Sequence, residues 1–96
     1  MPTVTTAAED TGTLSAITAT IADNHIEIPF NATSLNVYLE GTLDGTFSIG
    51  DALGAVILPK GVWVEVYRRE TTSNTGNKTV FFAVSSGTAN LQFRVV

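Results

Sequence analysis

The sequence predicts an all-β protein, an antiparallel β-sandwich of about eight short strands in a jelly-roll-like arrangement. Three observations support this fold class. Apolar and polar residues alternate with a period of two through most of the 96 residues, without sustained helical periodicity. Turn-forming residues interrupt the alternation about every 8–12 residues. Charged residues make up only 15% of the chain, below the ~25% of an average globular domain, and Thr, Ser and Gly replace them.

The first four strands are predicted in segments 13–22, 25–30, 34–40 and 46–50. The first alternates imperfectly, whereas the third and fourth, SLNVYLE and TFSIG, alternate well. In the second, Ile26 and Ile28 share one face and His25 and Glu27 share the other. Pro29 lacks a backbone donor, so it predicts that this strand lies at an edge or ends there.

The last four strands are predicted in segments 54–59, 62–70, 78–84 and 88–96. The segment GAVILP is wholly apolar, as expected of a strand covered on both faces. In VWVEVYRRE, three valines are predicted to point inward and Trp63, Glu65 and Tyr67 outward. KTVFFAV and TANLQFRVV complete the two sheets, and the turn SSG separates them.

The domain organisation follows from a change in composition near residue 11. Residues 1–11 are short, polar and rich in Thr and Ala, which predicts a flexible N-terminal arm. Residues 12–96 are predicted to form a single β-sandwich domain. The chain has no cysteine, hence no disulfide or zinc-thiolate site. Its start lacks the pattern of a signal peptide, and no apolar run approaches the ~20 residues of a membrane helix, so no membrane association is expected.

Charge is distributed unevenly along the sequence. Residues 1–59 contain seven acids and no Lys or Arg. The basic residues are Lys60, Arg68, Arg69, Lys78 and Arg94. This polarity suggests complementary association between copies or with a partner, although a chance distribution explains it equally simply. Nucleic-acid binding is not expected, because the chain is acidic and has one small basic cluster.

The only histidine, His25, is predicted to share an outer strand face with Glu27. Such a pair can exchange protons, but catalysis also needs an aligned nucleophile, and no G-x-S-x-G motif is found. As metal ligands the two residues are one or two short of a usual set. An exposed strand pair is the simpler interpretation.

The stretch LEGTLDGTFSIG contains the strongest turn signal. Asp44-Gly45 predicts a type I′ hairpin turn, because this pair tolerates positive φ angles. A calcium site that uses Glu40, Asp44 and Asp51 is the alternative. Their spacing matches no EF-hand, so neither a metal nor a cofactor is expected.

Aromatic residues on outward strand positions are the remaining candidates for binding. Trp63 and Tyr67 lie at i and i+4 with Glu65 between them, and Tyr38 is also predicted to face outward. Three interpretations stay open: core residues, with the faces of that strand reversed; anchors of a subunit interface; or a platform for sugar rings.

The strings SLNVYLEGTLDGTFSIG, GVWVEVYRRE and SGTANLQFRVV resemble the small β-sandwich structural proteins of tailed bacteriophage virions. The resemblance covers residues 34–96 and rests on strand pattern rather than on catalytic motifs. It implies a non-enzymatic capsid decoration or cementing protein, made in the host cytoplasm and located on the virion surface. The implied partners are the major capsid protein, or another virion protein, and further copies of the chain, with a homotrimer favoured.

Contact residues for that role are predicted in the arm, at the outward aromatic residues and at the basic cluster. They are Thr3, Val4, Thr5, Trp63, Tyr67, Arg68 and Arg69. The alternative is a carbohydrate-binding or receptor-binding module of a virion fibre or tail appendage. In that case Trp63, Tyr67 and Glu65 would form the ligand platform. An enzyme is the third class, disfavoured by the absence of a recognisable nucleophile motif.

Overall fold

A computed structural model describes residues 3–7, 9–52, 56–69 and 76–96. The strands are β1 Thr3–Thr5, β2 Thr11–Ile17, β3 His25–Ile28, β4 Ser34–Glu40, β5 Gly45–Ile49, β6 Val56–Leu58, β7 Trp63–Arg68, β8 Lys78–Val84 and β9 Ala89–Val95. One short 3-10 helix spans Ile21–Asp23, and no helix in the described part of the chain is long and apolar enough to cross a membrane. Sheet A has the order β1-β3-β8-β5-β6 and sheet B the order β2-β9-β4-β7. The predicted all-β sandwich is confirmed.

The strand pairing is that of a jelly roll. β5 pairs with β6, β4 with β7, β3 with β8 and β2 with β9, all antiparallel. In chain order each pair encloses the one before it, and the connection between β5 and β6 is the innermost. This is a long hairpin rolled up on itself, and the pairs β4–β9 and β5–β8 join its turns into two sheets. The predicted jelly-roll arrangement is confirmed, with β1 as a ninth strand.

The core lies between the two sheets and is built from alternate residues of each strand. In β3, Ile26 and Ile28 are buried, whereas His25 and Glu27 lie on the outer face. The largest fully buried side chains are Phe82, Ile17, Ile26, Ile28, Leu35, Leu39, Leu58 and Leu91. Burial of each such side chain contributes about 1.5–3 kcal/mol, so the stability comes mainly from this layer.

The N-terminal segment differs from the predicted arm. β1 pairs in parallel with β3 at the edge of sheet A, with Thr3 opposite His25. Thr6 is buried, and its backbone N and Oγ1 both donate to the carbonyl of Glu27, at 2.8 and 3.1 Å. Threonine favours extended structure, and the free edge of β3 offers unpaired backbone groups. Residues 3–7 therefore belong to the sandwich, while residues 1, 2 and 8 lie outside the described part.

The predicted Asp44-Gly45 hairpin turn is wrong. β4 belongs to sheet B and β5 to sheet A, so their connection crosses between sheets. Gly45 is a strand residue, paired with Leu58 and Val84. A Cβ at this position would collide with the backbone carbonyl of Ala83. The glycine is required by the close approach of two strands rather than by a turn.

The nested pairing also determines where the acidic and basic parts of the sequence lie in the molecule. In sheet B, strands from the acidic residues 1–59 alternate with strands from residues 60–96, which hold the basic residues, and in sheet A β8 lies between β3 and β5. Lys60 and Asp44 illustrate the mixing, with Nζ 3.7 Å from Oδ1. Within the described residues, acidic and basic segments are therefore interleaved rather than separated into two halves of the molecule.

Candidate ligand-binding face on sheet B

The outer face of sheet B brings together the polar and aromatic residues that alternate with the core. One row across the four strands contains Thr13, Gln92, Tyr38 and Trp63, and the neighbouring row contains Thr11, Arg94, Asn36 and Glu65. These rows follow from strand geometry, because residues that are directly paired lie on the same face. The face therefore carries two aromatic rings beside several planar polar groups.

Trp63 is the most prominent side chain of this face. It lies opposite Tyr38 in the β4–β7 ladder, and the two ring centroids are 5.7 Å apart at an interplanar angle of 50°. The side chain is nevertheless 54% exposed. The predicted outward orientation of Trp63 is confirmed, and its aromatic neighbour is Tyr38.

Tyr67 does not belong to this face. The β4–β7 register shifts by one residue, so that Glu65 pairs with Asn36 but Tyr67 pairs with the inward-facing Leu35. Such a bulge reverses the facing of the residues that follow it. Tyr67 is half-buried and packs against the core. The predicted row of Trp63, Glu65 and Tyr67 is therefore broken, and core packing is the correct interpretation for Tyr67.

The predicted charged contact residues are held by partners within the chain. Arg68 binds Glu65 through two hydrogen bonds, Nε to Oε1 at 2.8 Å and Nη2 to Oε2 at 2.9 Å. The hydrogen bond to this carboxylate, together with its charge, raises the pKa of Arg68. Arg69 donates from its backbone N to the carbonyl of Thr33 at 2.8 Å and from Nη1 to the carbonyl of Phe30 at 3.4 Å. Glu65 is thus engaged by Arg68 rather than presented to a ligand.

The predicted arm contacts lie at the opposite edge of the molecule, in β1 of sheet A. Thr3 and Thr5 are exposed there, whereas Val4 is partly buried and packs against the core. They share no surface with Trp63, which lies on sheet B. The structure therefore separates the predicted contact residues into two surfaces.

His25 and Glu27 lie on the outer face of sheet A. The imidazole packs edge-on against Phe81, with centroids 5.5 Å apart, and its Nδ1 is buried without a hydrogen-bond partner. Glu27 is paired with Thr5 and Thr79. Within the described residues, no group of three or more His, Cys, Asp or Glu could hold a metal ion.

The alternative calcium set is also dispersed. Asp44 accepts a hydrogen bond from the backbone N of Lys60 at 3.1 Å, and Glu40 accepts one from Gln92. Asp51 lies beyond the far end of β5, a strand about 17 Å long, so it cannot share an ion with Asp44. The three acids are not brought together.

Two adjoining depressions flank Trp63 on the outer face of sheet B. The first has a volume of about 390 Å³ and is lined by Asn36, Trp63, Arg94 and Val96. The second has a volume of about 460 Å³ and is lined by Thr11, Gly12, Thr13, Trp63, Gln92, Phe93 and Arg94. Because Trp63 and Arg94 line both, the depressions form one open groove, called here the Trp63 groove.

The polar groups of the Trp63 groove retain hydrogen-bonding capacity. Gln92 donates from Nε2 to Glu40, and among the described residues the side chain of Asn36 makes one long hydrogen bond, from Nδ2 to Ser34 Oγ at 3.4 Å. Within the part of the chain that is described, Arg94 makes no hydrogen bond or ion pair through its guanidinium. The sequence places Tyr38 outward, but it could not join Tyr38 and Asn36 to Gln92 and Arg94, because that requires the β4–β9 pairing.

Comparison of the chain with protein-family models, with curated proteins and with solved structures finds no match.

Proposed function

We propose that this protein is a non-enzymatic virion structural protein that binds the major capsid protein on a phage head and reinforces the shell. The proposal rests on one observation above all, the exposed apolar edge strand β6. The sequence resemblance to virion β-sandwich proteins and the jelly-roll topology, which viral capsid domains also use, agree with it.

β6 is the last strand of sheet A and pairs only with β5, within the described residues. Ile57 is 69% exposed and Val56 is 49% exposed, and the nearby Ile49 of β5 is 44% exposed. The prediction that this segment is covered on both faces is therefore wrong. Natural proteins usually protect a free strand edge with charge, proline or a covering segment. The three residues of β6 include neither a charge nor a proline. An apolar edge of this kind is suited to addition of a strand from a partner, with apolar burial on both faces.

A decoration role also suits the size of the molecule. A standard stable contact buries about 800 Å² on each partner, which is about 15% of the 5165 Å² surface of this domain. Sheet A has two edges available for contacts, β6 at one end and β1, where Thr3 and Thr5 are exposed, at the other. Two contacts from one rigid sandwich would link neighbouring capsid subunits, or copies in a trimer, and resist expansion of the shell.

The test is co-sedimentation of the purified protein with empty shells assembled from the major capsid protein encoded beside it. We expect stoichiometric binding by the wild type. We expect Ile57→Lys to weaken binding by at least tenfold, because a charge would be buried in an apolar contact. Val62→Lys is the control, since Val62, contrary to its predicted inward orientation, is an exposed aliphatic residue (49%, against 69% for Ile57) and lies outside β6. Thermal unfolding checks that both variants are folded.

Two results would count against the proposal. If the wild type does not bind the shells at micromolar concentration, the decoration role is wrong. If Ile57→Lys binds as well as Val62→Lys, the contact is elsewhere. Deletion of residues 1–11 is a poor substitute, because it removes β1 and the carbonyl of Asp10, which accepts a hydrogen bond from Val95 N at 2.7 Å.

A further inference from the structure

We propose that the Trp63 groove binds a pyranose ring of a glycan. This inference goes beyond the capsid-binding role, because it concerns the outer face of sheet B, whereas capsid attachment is assigned to the edges of sheet A. It also redefines the ligand platform suggested by the sequence, since Tyr67 and Glu65 are replaced by other residues.

The aromatic part of the groove is suited to the apolar face of a sugar. A pyranose presents C–H groups on one face and hydroxyl groups around its rim, so it packs on an exposed indole and still needs hydrogen bonds. Trp63 is exposed, yet its backbone is held in the β4–β7 ladder and its ring is supported by Tyr38. Little conformational freedom would be lost on binding, which favours affinity.

The polar part of the groove supplies partners for hydroxyl groups. Arg94 lies opposite Asn36 on one side and Thr11 on the other, so amide, guanidinium and hydroxyl groups form a line across three strands. Gln92 lies in the next row, between Thr13 and Tyr38. Planar amide and guanidinium groups each offer two adjacent hydrogen-bonding positions, which match neighbouring hydroxyls of a sugar.

The dimensions of the groove indicate a chain rather than an enclosed small molecule. The two depressions, of about 390 and 460 Å³, lie within the ~300–1,000 Å³ typical of ligand sites. They adjoin one another along the sheet and open to solvent. An internal residue of an oligosaccharide could therefore pack on Trp63 while the chain continues over Arg94 and Gln92.

The charges of the face favour a neutral glycan over an anionic ligand. Glu65 is neutralised by Arg68, and Glu40 is engaged by Gln92. Arg94 is then the single guanidinium of the groove without a partner in the described chain. A single guanidinium can donate to the hydroxyls of a sugar, whereas phosphorylated and acidic motifs are typically recognised by clusters of Arg.

The experiment is a glycan array probed with the labelled protein, followed by calorimetric titration with any oligosaccharide that binds. We expect a dissociation constant between about 10 µM and 1 mM, because the groove is open and small. Trp63→Ala should weaken binding by at least tenfold, and Trp63→Phe should retain part of it. Phe30→Ala is the matched control, since Phe30 is an aromatic residue with the same 54% exposure outside the groove.

Three outcomes would overturn the inference. The first is a wild-type protein that binds no glycan on the array. The second is a Trp63→Ala variant that binds as well as Phe30→Ala. The third is a Trp63→Ala variant that loses self-association or shell binding but binds glycans as the wild type does, which would make the groove a protein interface. Ile57→Lys should leave glycan binding unchanged, so failure of the decoration role and failure of this inference can be distinguished.

Discussion

Asn24 is expected to be the polar side chain on which the fold depends most, and Asn24→Ala tests this. The residue is fully buried between the 3-10 helix and β3. Its Nδ2 is within hydrogen-bond distance of the carbonyls of Thr18, Thr20 and Phe82, at 3.0, 3.1 and 3.0 Å. Its Oδ1 accepts from the backbone N of Thr18 at 3.2 Å. One amide therefore joins the loop before β3 to strand β8.

The magnitude follows from what each partner can do when the amide is gone. The carbonyl of Phe82 is buried and would stay without this donor, which costs about 1–3 kcal/mol. The backbone groups of Thr18 and Thr20 lie in a partly exposed loop and can form hydrogen bonds with water instead. We therefore assign a loss of about 1 kcal/mol in unfolding free energy to each of these two residues. The total is about 3–5 kcal/mol, a large part of the ~5–15 kcal/mol that stabilises a domain.

The assay is urea and thermal unfolding followed by circular dichroism. For a domain of this size, each kcal/mol lowers Tm by roughly 4–8 °C, so Asn24→Ala should lower Tm by about 12 °C or more. Asn24→Asp keeps the shape but replaces the donor with an acceptor that faces carbonyls, and it should be at least as unstable. Asn90→Ala is the control, because Asn90 makes one exposed bond, from Ala16 N at 3.0 Å. An Asn24→Ala variant within about 1 kcal/mol of wild type would refute the reasoning.

Two further predictions concern Asp44 and Gly45, at the start of β5. Gly45→Ala should cost about 2–4 kcal/mol in unfolding free energy, because the added methyl would push β5 away from the carbonyl of Ala83. Gly61→Ala should cost only about 1 kcal/mol, since its φ of +73° is strained for alanine but no atom lies within 4 Å; equal losses at both positions would contradict the steric argument. Asp44→Asn should change the unfolding free energy by less than about 0.5 kcal/mol, because the ion pair of Asp44 with Lys60 is half-exposed. The side-chain oxygen of the asparagine can still accept the hydrogen bond from the backbone N of Lys60, so only the salt-dependent part of the stability should be lost. A larger loss in chemical unfolding would mean that the charge itself has a structural role.

The candidate site was only partly predictable, for a specific reason. Trp63 was correctly placed on the outer face because alternation within β7 depends on that strand alone. Tyr67 was misplaced because the bulge arises from the pairing of β7 with β4, and no local signal marks it. Arg94 and Gln92 were not joined to Trp63, since they come from β9, which reaches this face only through its pairing with β4. The Trp63 groove thus exists because the order of strands in sheet B places residues of β9 beside those of β4 and β7.

The sequence by itself determined the fold class, because side chains of an extended strand alternate between two faces and the apolar set must be buried. It also determined which residues of β3, β4 and β9 form the core. The tertiary structure alone decided the pairing of β1 with β3, the close packing at Gly45 and the bonds of Asn24. These depend on contacts between segments far apart in the chain, whose register is set by the rolled hairpin as a whole rather than by any local pattern.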